Sequence, residues 1–232
     1  MSLLSVLTPT GNRQQAFSLC ERYMARQTFQ DFEWTVVDDG ERATVCTMDQ
    51  KVVRPEPRWR PGQPSSQARN LIVGLDRCNS DYIAIVEDDD YYGPDHLARV
   101  MQELKTNDLV GEHPALYYNI RHQAWREMGN KFHASMCQTA FRRIMIPIIQ
   151  KVCQESEAYI DIRLWQRVSP VNRNLYWARN VIGIKGMPGR DGVSHLHRSN
   201  GLGWTEDTGF AKLREWIGED VVNYEVLSPH SS

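Results

Sequence analysis

Tyr82-Ile83-Ala84-Ile85-Val86-Glu87-Asp88-Asp89-Asp90 decides the reading of this chain. The first five residues form an apolar run with the length of a buried strand. The last four are consecutive carboxylates. Such charges repel one another, and a core strand that ends in them calls for a counter-ion. Hard divalent cations such as Mg²⁺ and Mn²⁺ prefer carboxylate oxygen, and Mg²⁺ commonly fills its remaining positions with water and substrate phosphates. The run therefore points to a site for a metal–diphosphate pair. The competing reading is a solvated acidic loop, the common fate of a charge run.

Outward from this stretch, strands and helices alternate. Leu3–Leu7 predicts a buried strand closed by Thr8-Pro9-Thr10-Gly11, and Arg13 to about Gln27 carries helical spacing through Phe17, Leu19, Cys20, Tyr23 and Met24. Phe32–Val37 predicts a second strand, stopped by Asp38-Asp39-Gly40, with a short strand expected near Thr44–Met48. Arg54 to Pro64 holds four prolines, so it is a loop. Ser65-Ser66 then caps a helix over Gln67–Asp76. Pro94 and Asp95 open a helix to about Lys105. Further on, strands are expected at Ala115–Arg121, Ser135–Phe141 and Val181–Ile184. Helices are expected at Ile144–Cys153, Ala158–Arg167 and Thr208–Ile217, with a frayed tail at Ser228–Ser232. The alternation predicts an α/β fold with a Rossmann-like, mostly parallel central sheet flanked by helices, whose ligand site lies at the carboxyl ends of its strands. Three polar clusters, Thr8-Pro9-Thr10, Asp38-Asp39-Gly40 and Glu87–Asp90, fall on that edge. No linker divides the 232 residues, so one domain is expected, with a more mixed second half from about residue 111 serving a second substrate.

Composition narrows the classes. The formal net charge is −2, which offers no global basic field for nucleic acid. Only six of the 27 basic residues are lysines, and arginine is the better bidentate partner for phosphate. Five scattered cysteines without a CxxC pair argue against a disulfide framework or zinc ribbon and suit a reducing cytoplasm, the expected location. The stretch MSLLSVLTPTGNR is apolar for too few residues to read as a signal peptide and lacks a basic n-region, so none is expected, and no stretch of about twenty apolar residues exists to span a membrane.

Four motifs in order, Ser5–Arg13, Trp34–Gly40, Ala68-Arg69-Asn70 and Ile85–Asp90, resemble the family 2 glycosyltransferases of GT-A fold. The likeness is close over residues 3–100 and looser beyond. It implies a nucleotide-sugar donor, usually UDP-linked, and Mn²⁺ or Mg²⁺ on its diphosphate. The family's Asp-X-Asp motif falls on Glu87-Asp88-Asp89, with Glu as its first acid here. The resemblance implies that Asp89 ligates the metal, with Glu87 beside it, and that Asp88 lies near ribose or metal. It places Asp90 toward the acceptor or a turn cap. Thr8 and Pro9 match the first nucleotide-contacting loop, Asp39 matches the acid that accepts from uracil, and Arg69 matches a basic residue near the donor. Arg13 is a phosphate contact or the partner of a nearby acid, and Asp38 is the alternative turn cap.

Inverting transfer needs a general base opposite the leaving group. Asp161-Ile162-Arg163-Leu164-Trp165-Gln166-Arg167 resembles the family's segment, which implies Asp161 as base, with Glu157 as competitor. An exposed helix acid paired with Arg163 or Arg167 is the bland alternative. Relatives use a late histidine on the metal, and His195 and His197 are the candidates, one face of an extended segment presenting both. Arg190 and Arg198 flank them as diphosphate clamps.

The acceptor is less legible. Trp59, Trp125, Trp165, Trp177 and Trp204 offer flat faces for a sugar or base, or else core. A saccharide acceptor ranks first. A hydroxymethylated base in DNA, as in bacteriophage DNA modification, ranks close behind, with Arg54–Arg60 and Arg142-Arg143 as phosphate contacts. A nucleotidyltransferase or pyrophosphorylase on the same fold, and an inactive nucleotide-sugar-binding module, are the other readings. Which sugar, and what oligomeric state, the sequence leaves open.

Overall fold

The structure is a computed structural model that describes residues 2–156, 158–190 and 203–228. The first half runs β1 (Leu4–Thr10), α1 (Gln14–Ala25), β2 (Phe32–Asp38), β3 (Gln50–Val53), α2 (Gln67–Leu75), β4 (Tyr82–Ile85), β5 (Tyr91–Tyr92), α3 (His96–Glu103) and β6 (Leu109–His113). The second continues β7 (Ala115–Asn119), β8 (Ala124–Met128), β9 (Thr139–Arg142), α4 (Ile146–Glu155), α5 (Ile160–Arg167), β10 (Arg173–Trp177), β11 (Val181–Lys185), β12 (Thr205–Glu206), α6 (Ala211–Ile217) and α7 (Val222–Glu225).

Seven strands form the central sheet in the order β10-β6-β9-β4-β1-β2-β3. All are parallel except β9, which runs antiparallel to both β4 and β6. The register Thr10↔Asp38 and Leu7↔Ile85 brings the carboxyl ends of β1, β2 and β4 to one edge. A second sheet, β12-β8-β7-β11-β5, is mostly antiparallel and takes its strands from the second half, plus β5.

Strand alternation explains the layers. Leu4, Val6, Trp34, Val36, Ala84 and Val86 share one core with α1 and α3. Leu7, Val37, Ile83 and Ile85 project into the other, under α2, α4 and α5. Both faces are covered, which is why the strands read as unbroken apolar runs. Helix α1 buries Phe17, Cys20, Tyr23 and Met24 of the face its spacing predicts, and Leu19 is only partly buried.

Several expectations need correction. The strand expected at Thr44–Met48 lies later, at β3, an edge strand with exposed residues and weak patterning. Ser135–Phe141 divides into a 3₁₀ turn, Met136–Gln138, and β9. β6, β8 and β10 went unforeseen. β6 carries Gly111, Glu112 and His113, a polar series no strand pattern flags. Gly111 is needed there because a Cβ would stand 2.3 Å from Ala134 and 2.6 Å from the Trp165 ring.

Candidate active site

The acidic run emerges from β4 into a cleft of about 780 Å³ at the carboxyl edge. Glu87, Asp88 and Asp89 line it, together with Pro9 and Thr10 from β1. Two built-in cations bracket the run. Arg13, just before α1, places Nη1 2.7 Å from Asp88 Oδ1 and 3.2 Å from Asp89 Oδ2. Lys185, at the end of β11, places Nζ 3.3 Å from Asp90 Oδ1. Four carboxylates against two cations leave a formal surplus of two negative charges. A divalent cation would balance it, and the cleft-facing oxygens of Glu87, Asp88 and Asp89 are the hard ligands it favours.

Without such an ion, burial and mutual repulsion favour the protonated forms within the cluster. Burial, then Asp90 and Asp89, push Glu87 up to about 8. Burial also raises Asp88 against the pull of Arg13, and burial with Asp89 pushes Asp90 up to about 6 despite Lys185. Burial opposes the charges of Arg13 and Lys185, but the surrounding acids outweigh it and keep both protonated. Glu87, Asp90 and Cys137 also bring one possible ligand atom each within 4.8 Å of one another. Lys185 already supplies positive charge beside that group, so the cleft side of the run suits a metal better.

The sequence candidates fall into distinct positions. Asp88 accepts from the Thr10 hydroxyl at 2.6 Å as well as from Arg13. Thr8 does not line the cleft: it is fully buried on the inward phase of β1, and its hydroxyl accepts from the Trp34 indole at 2.9 Å. Pro9 and Thr10 take its place. Asp90 faces neither acceptor nor solvent; it turns inward and accepts the Ile184 N–H at 2.8 Å. Asp38 is the turn cap, accepting from the Gly40 and Thr44 N–H groups at 2.9 Å each.

Asp39 is buried at the base of a basic rim. Its Oδ1 accepts from Arg190 Nη1 at 2.9 Å and its Oδ2 from Arg69 Nη2 at 3.2 Å. Arg190 also donates to Ser66 Oγ at 2.8 Å and lies 3.8 Å over the Trp59 ring. Its guanidinium thus sits beside Asp39, while its carbonyl accepts from Arg13 Nε at 2.6 Å. Two glycines permit this packing. A Cβ on Gly11 would stand 2.4 Å from Asp39 Oδ1, and Gly189, at φ +106°, would press 2.6 Å from the Asn12 carbonyl. Ser66 serves Arg190 and not the helix; the Gln67 N–H instead donates to Ser65 Oγ at 3.2 Å. Asn70, placed by the sequence at the helix start, lines the cleft with a buried, unpaired Oδ1.

Across the cleft, Asp161 stands in the first turn of α5. It is half-buried, and burial raises its pKa above the ordinary aspartate range despite backbone hydrogen bonds and His133. Neither proposed arginine partner engages it: Arg167 pairs with Glu155, and Arg163 is exposed. Tyr159 precedes it at φ 56°, with its side chain 68% exposed at the lip. Glu157, His195, His197, Arg198 and the tail 229–232 lie outside the described residues.

Other candidates are spent on structure. Trp165 is core, and of the five tryptophans only Trp59 lines the cleft among the described residues. Arg142 and Arg143 donate to the carbonyls of Leu104, Lys105, Cys78 and Ser80. Arg54 pairs with Asp38, and Arg58 turns to the carbonyls of Asp38 and Pro55. Sequence reading missed Lys185 because a single lysine at a strand end carries no pattern; its partner Asp90 is distant in the chain.

A parallel sheet that gathers an acidic run, a buried aspartate and a basic rim at one edge is the architecture of an α/β nucleotide-binding protein. A family model described as glycosyl transferase family 2 matches residues 5–164, and the chain belongs to that family. Two uncharacterized glycosyltransferases of Haemophilus influenzae are similar to it, 25% identical over 118 residues and 27% over 117. Each match covers 49% of this chain, and the chain spans 46% and 39% of those relatives' lengths. The GT-A fold expected from the motifs is the observed one. S. aureus TarS 1-349 in complex with UDP matches with a TM-score of 0.55 at 14% identity, over 80% of this chain and 61% of that one. The mannosyltransferase PcManGT from Pyrobaculum calidifontis, in complex with GDP-Man and Mn²⁺, matches with a TM-score of 0.50 at 14% identity, over 81% and 57%. Among the described residues no helix is long and apolar enough to cross a membrane.

Proposed function

We propose that this chain transfers a sugar from a UDP-sugar to a saccharide hydroxyl with inversion, in the presence of Mn²⁺ or Mg²⁺. The observation that carries this reading is the pairing, across one cleft, of the charge-surplus run Glu87–Asp89 with the half-buried carboxylate of Asp161. Neighbouring folds captured with UDP, and with GDP-Man and Mn²⁺, support the donor class.

Asp39 favours uracil over guanine. Its two oxygens accept from Arg190 and Arg69. A uracil imide would exchange part of these contacts, its N–H donating to Asp39 and its carbonyls accepting from the arginines; guanine would set one of its own donors against an arginine. Trp59 supplies a flat face beside it. Asp88 and Asp89 line the cleft as the proposed diphosphate side, and Glu87, Asp89, His195 and His197 are the proposed metal ligands. A bound divalent ion neutralises charge developing on the leaving diphosphate.

Asp161 then takes the proton of the acceptor hydroxyl. The acceptor oxygen bonds to the anomeric carbon as the bond to the β-phosphate oxygen breaks, releasing UDP. Residues to about 110 supply most donor contacts within a single domain, and the later half supplies the base. A saccharide is favoured over modified DNA because Arg54, Arg58, Arg142 and Arg143 are already engaged by protein oxygens. Calorimetric titration of UDP with and without Mn²⁺, followed by a donor screen against oligosaccharides and hydroxymethylated DNA, tests the reading. Binding of UDP that ignores Mn²⁺, or transfer to the DNA alone, would contradict it.

A further inference from the structure

We propose that Lys185 reads a hydroxyl group of the donor sugar, and that the donor therefore carries a neutral, hydroxylated sugar. The inference rests on the UDP-sugar reading above and adds what the sugar must present.

Lys185 is 6% exposed, yet it lines the cleft. A buried ammonium has three N–H donors to satisfy. Asp90 Oδ1, at 3.3 Å, takes one, and among the described residues no other oxygen takes the rest. A nearby ring, that of Tyr117, lies 5.7 Å from Nζ and offers only a weak cation–π contact. Lys185 thus faces the cleft with donors to spare.

Its position is the second part of the argument. Asp90 Oδ1 lies 3.3 Å from its Nζ and the Tyr117 ring 5.7 Å. Lys185 lines the same cleft as Glu87, Asp89, Tyr117 and Asp161. A sugar held between the acidic run and the proposed base, Asp161, is within its neighbourhood.

The surroundings select the chemistry. Lys185 can only donate, and Glu87 beside it offers carboxylate oxygen to the same cleft. A hydroxyl accepts from the first and donates to the second. A carboxylate on the sugar would instead stand against Glu87 and Asp90, the carboxylates beside Lys185. A bare methylene would leave buried donors unpaired, the kind of mismatch that discriminates strongly against analogues lacking a hydroxyl.

The test is a cycle of dissociation constants measured by calorimetry with Mn²⁺ present. UDP, UDP-glucose, UDP-galactose, UDP-N-acetylglucosamine, UDP-xylose and UDP-glucuronate are titrated into the wild-type protein. Monodeoxy analogues of the tightest neutral donor follow, into wild type, K185M and K185R. One deoxy position is expected to cost about tenfold or more in wild type and less than about twofold in K185M. K185R, which keeps the charge but not the ammonium's position, is expected to behave as K185M does. A deoxy penalty that survives in K185M, a K185R that restores it fully, or tightest binding of UDP-glucuronate overturns the assignment. If K185M does not fold, the wild-type series decides: a donor whose every hydroxyl is dispensable refutes the proposal. Failure of UDP itself to bind with Mn²⁺ is a different result, and it removes the donor reading beneath.

Discussion

Replacing Asp89 by Asn separates the metal site from the fold. Asp89 is buried and shares Arg13 with Asp88, at 3.2 Å and 2.7 Å. Removing its charge loses one attraction to Arg13 but also relieves repulsion within a run of four acids. The two effects oppose, so the stability of ligand-free D89N is expected to lie within about 1 kcal/mol of wild type. Binding is another matter. At a hundredfold excess over its dissociation constant, a ligand specific to the folded state adds about 2.7 kcal/mol. For a chain of this size each kcal/mol moves the melting temperature by about 2–4 °C. Saturating UDP with Mn²⁺ should therefore raise the wild-type Tm by about 5–11 °C. In D89N the surplus charge falls by half and one hard ligand is lost, so the shift should shrink to about 1 °C. Differential scanning fluorimetry with UDP, Mn²⁺, both and neither reads all of this. A D89N protein that keeps the full shift removes Asp89 from the metal site. One that melts far below wild type before any ligand is added makes it a structural residue.

Four more expectations follow from the structure. Asp161→Asn should lower kcat about a hundredfold or more with UDP affinity nearly unchanged, and an equal loss in both would make Asp161 structural. Since the base acts when ionised and burial raises its pKa, the acidic limb of the wild-type kcat profile should lie above the ordinary aspartate range; a limb at the ordinary position contradicts its assignment. Asp39→Asn should weaken UDP binding by about tenfold and narrow the preference for UDP over GDP, measured by calorimetry; an unchanged UDP/GDP ratio removes it from base recognition. Glu112, buried in β6, is pushed by burial to about 7 while its Oε1 accepts from the Asn180 and Val181 N–H groups. Its folded pKa exceeds its unfolded one, so its stabilising share is complete in acid and is lost as pH rises toward 7 and above. Glu112→Gln keeps the acceptor and removes that loss, so urea unfolding should show the variant gaining on wild type between pH 5 and 8; a pH-independent difference would falsify the assignment.

How much of this was legible in the chain follows from which signals are local. Ile83–Val86 announced a two-sided strand because both its faces meet apolar neighbours, and the acids beyond it could only be the strand's end. Asp39 and the β1 loop were readable in the same way, as polar breaks in apolar runs. What stayed hidden is the identity of the partners. Arg13 looked equally suited to a phosphate or an acid, and only the approach of β4 to β1 shows two carboxylates waiting for it. Lys185 and Arg190 are brought to the donor half by β11 and the turn after it, long after the motifs that they complete. Strand β6 hid for a related reason: its glycine and glutamate answer to Trp165 and to the Asn180 turn, both distant in the chain. In each case the residue type is set by a contact across the sheet, whereas spacing along the chain records only contacts within one element. The acids of this site therefore announce themselves, whereas of the cations that make their burial tolerable Arg13, Arg69 and Arg190 are legible without a settled partner and Lys185 is not legible at all. That asymmetry is why a search for the site's remaining determinants belongs on the second sheet and not on the motifs.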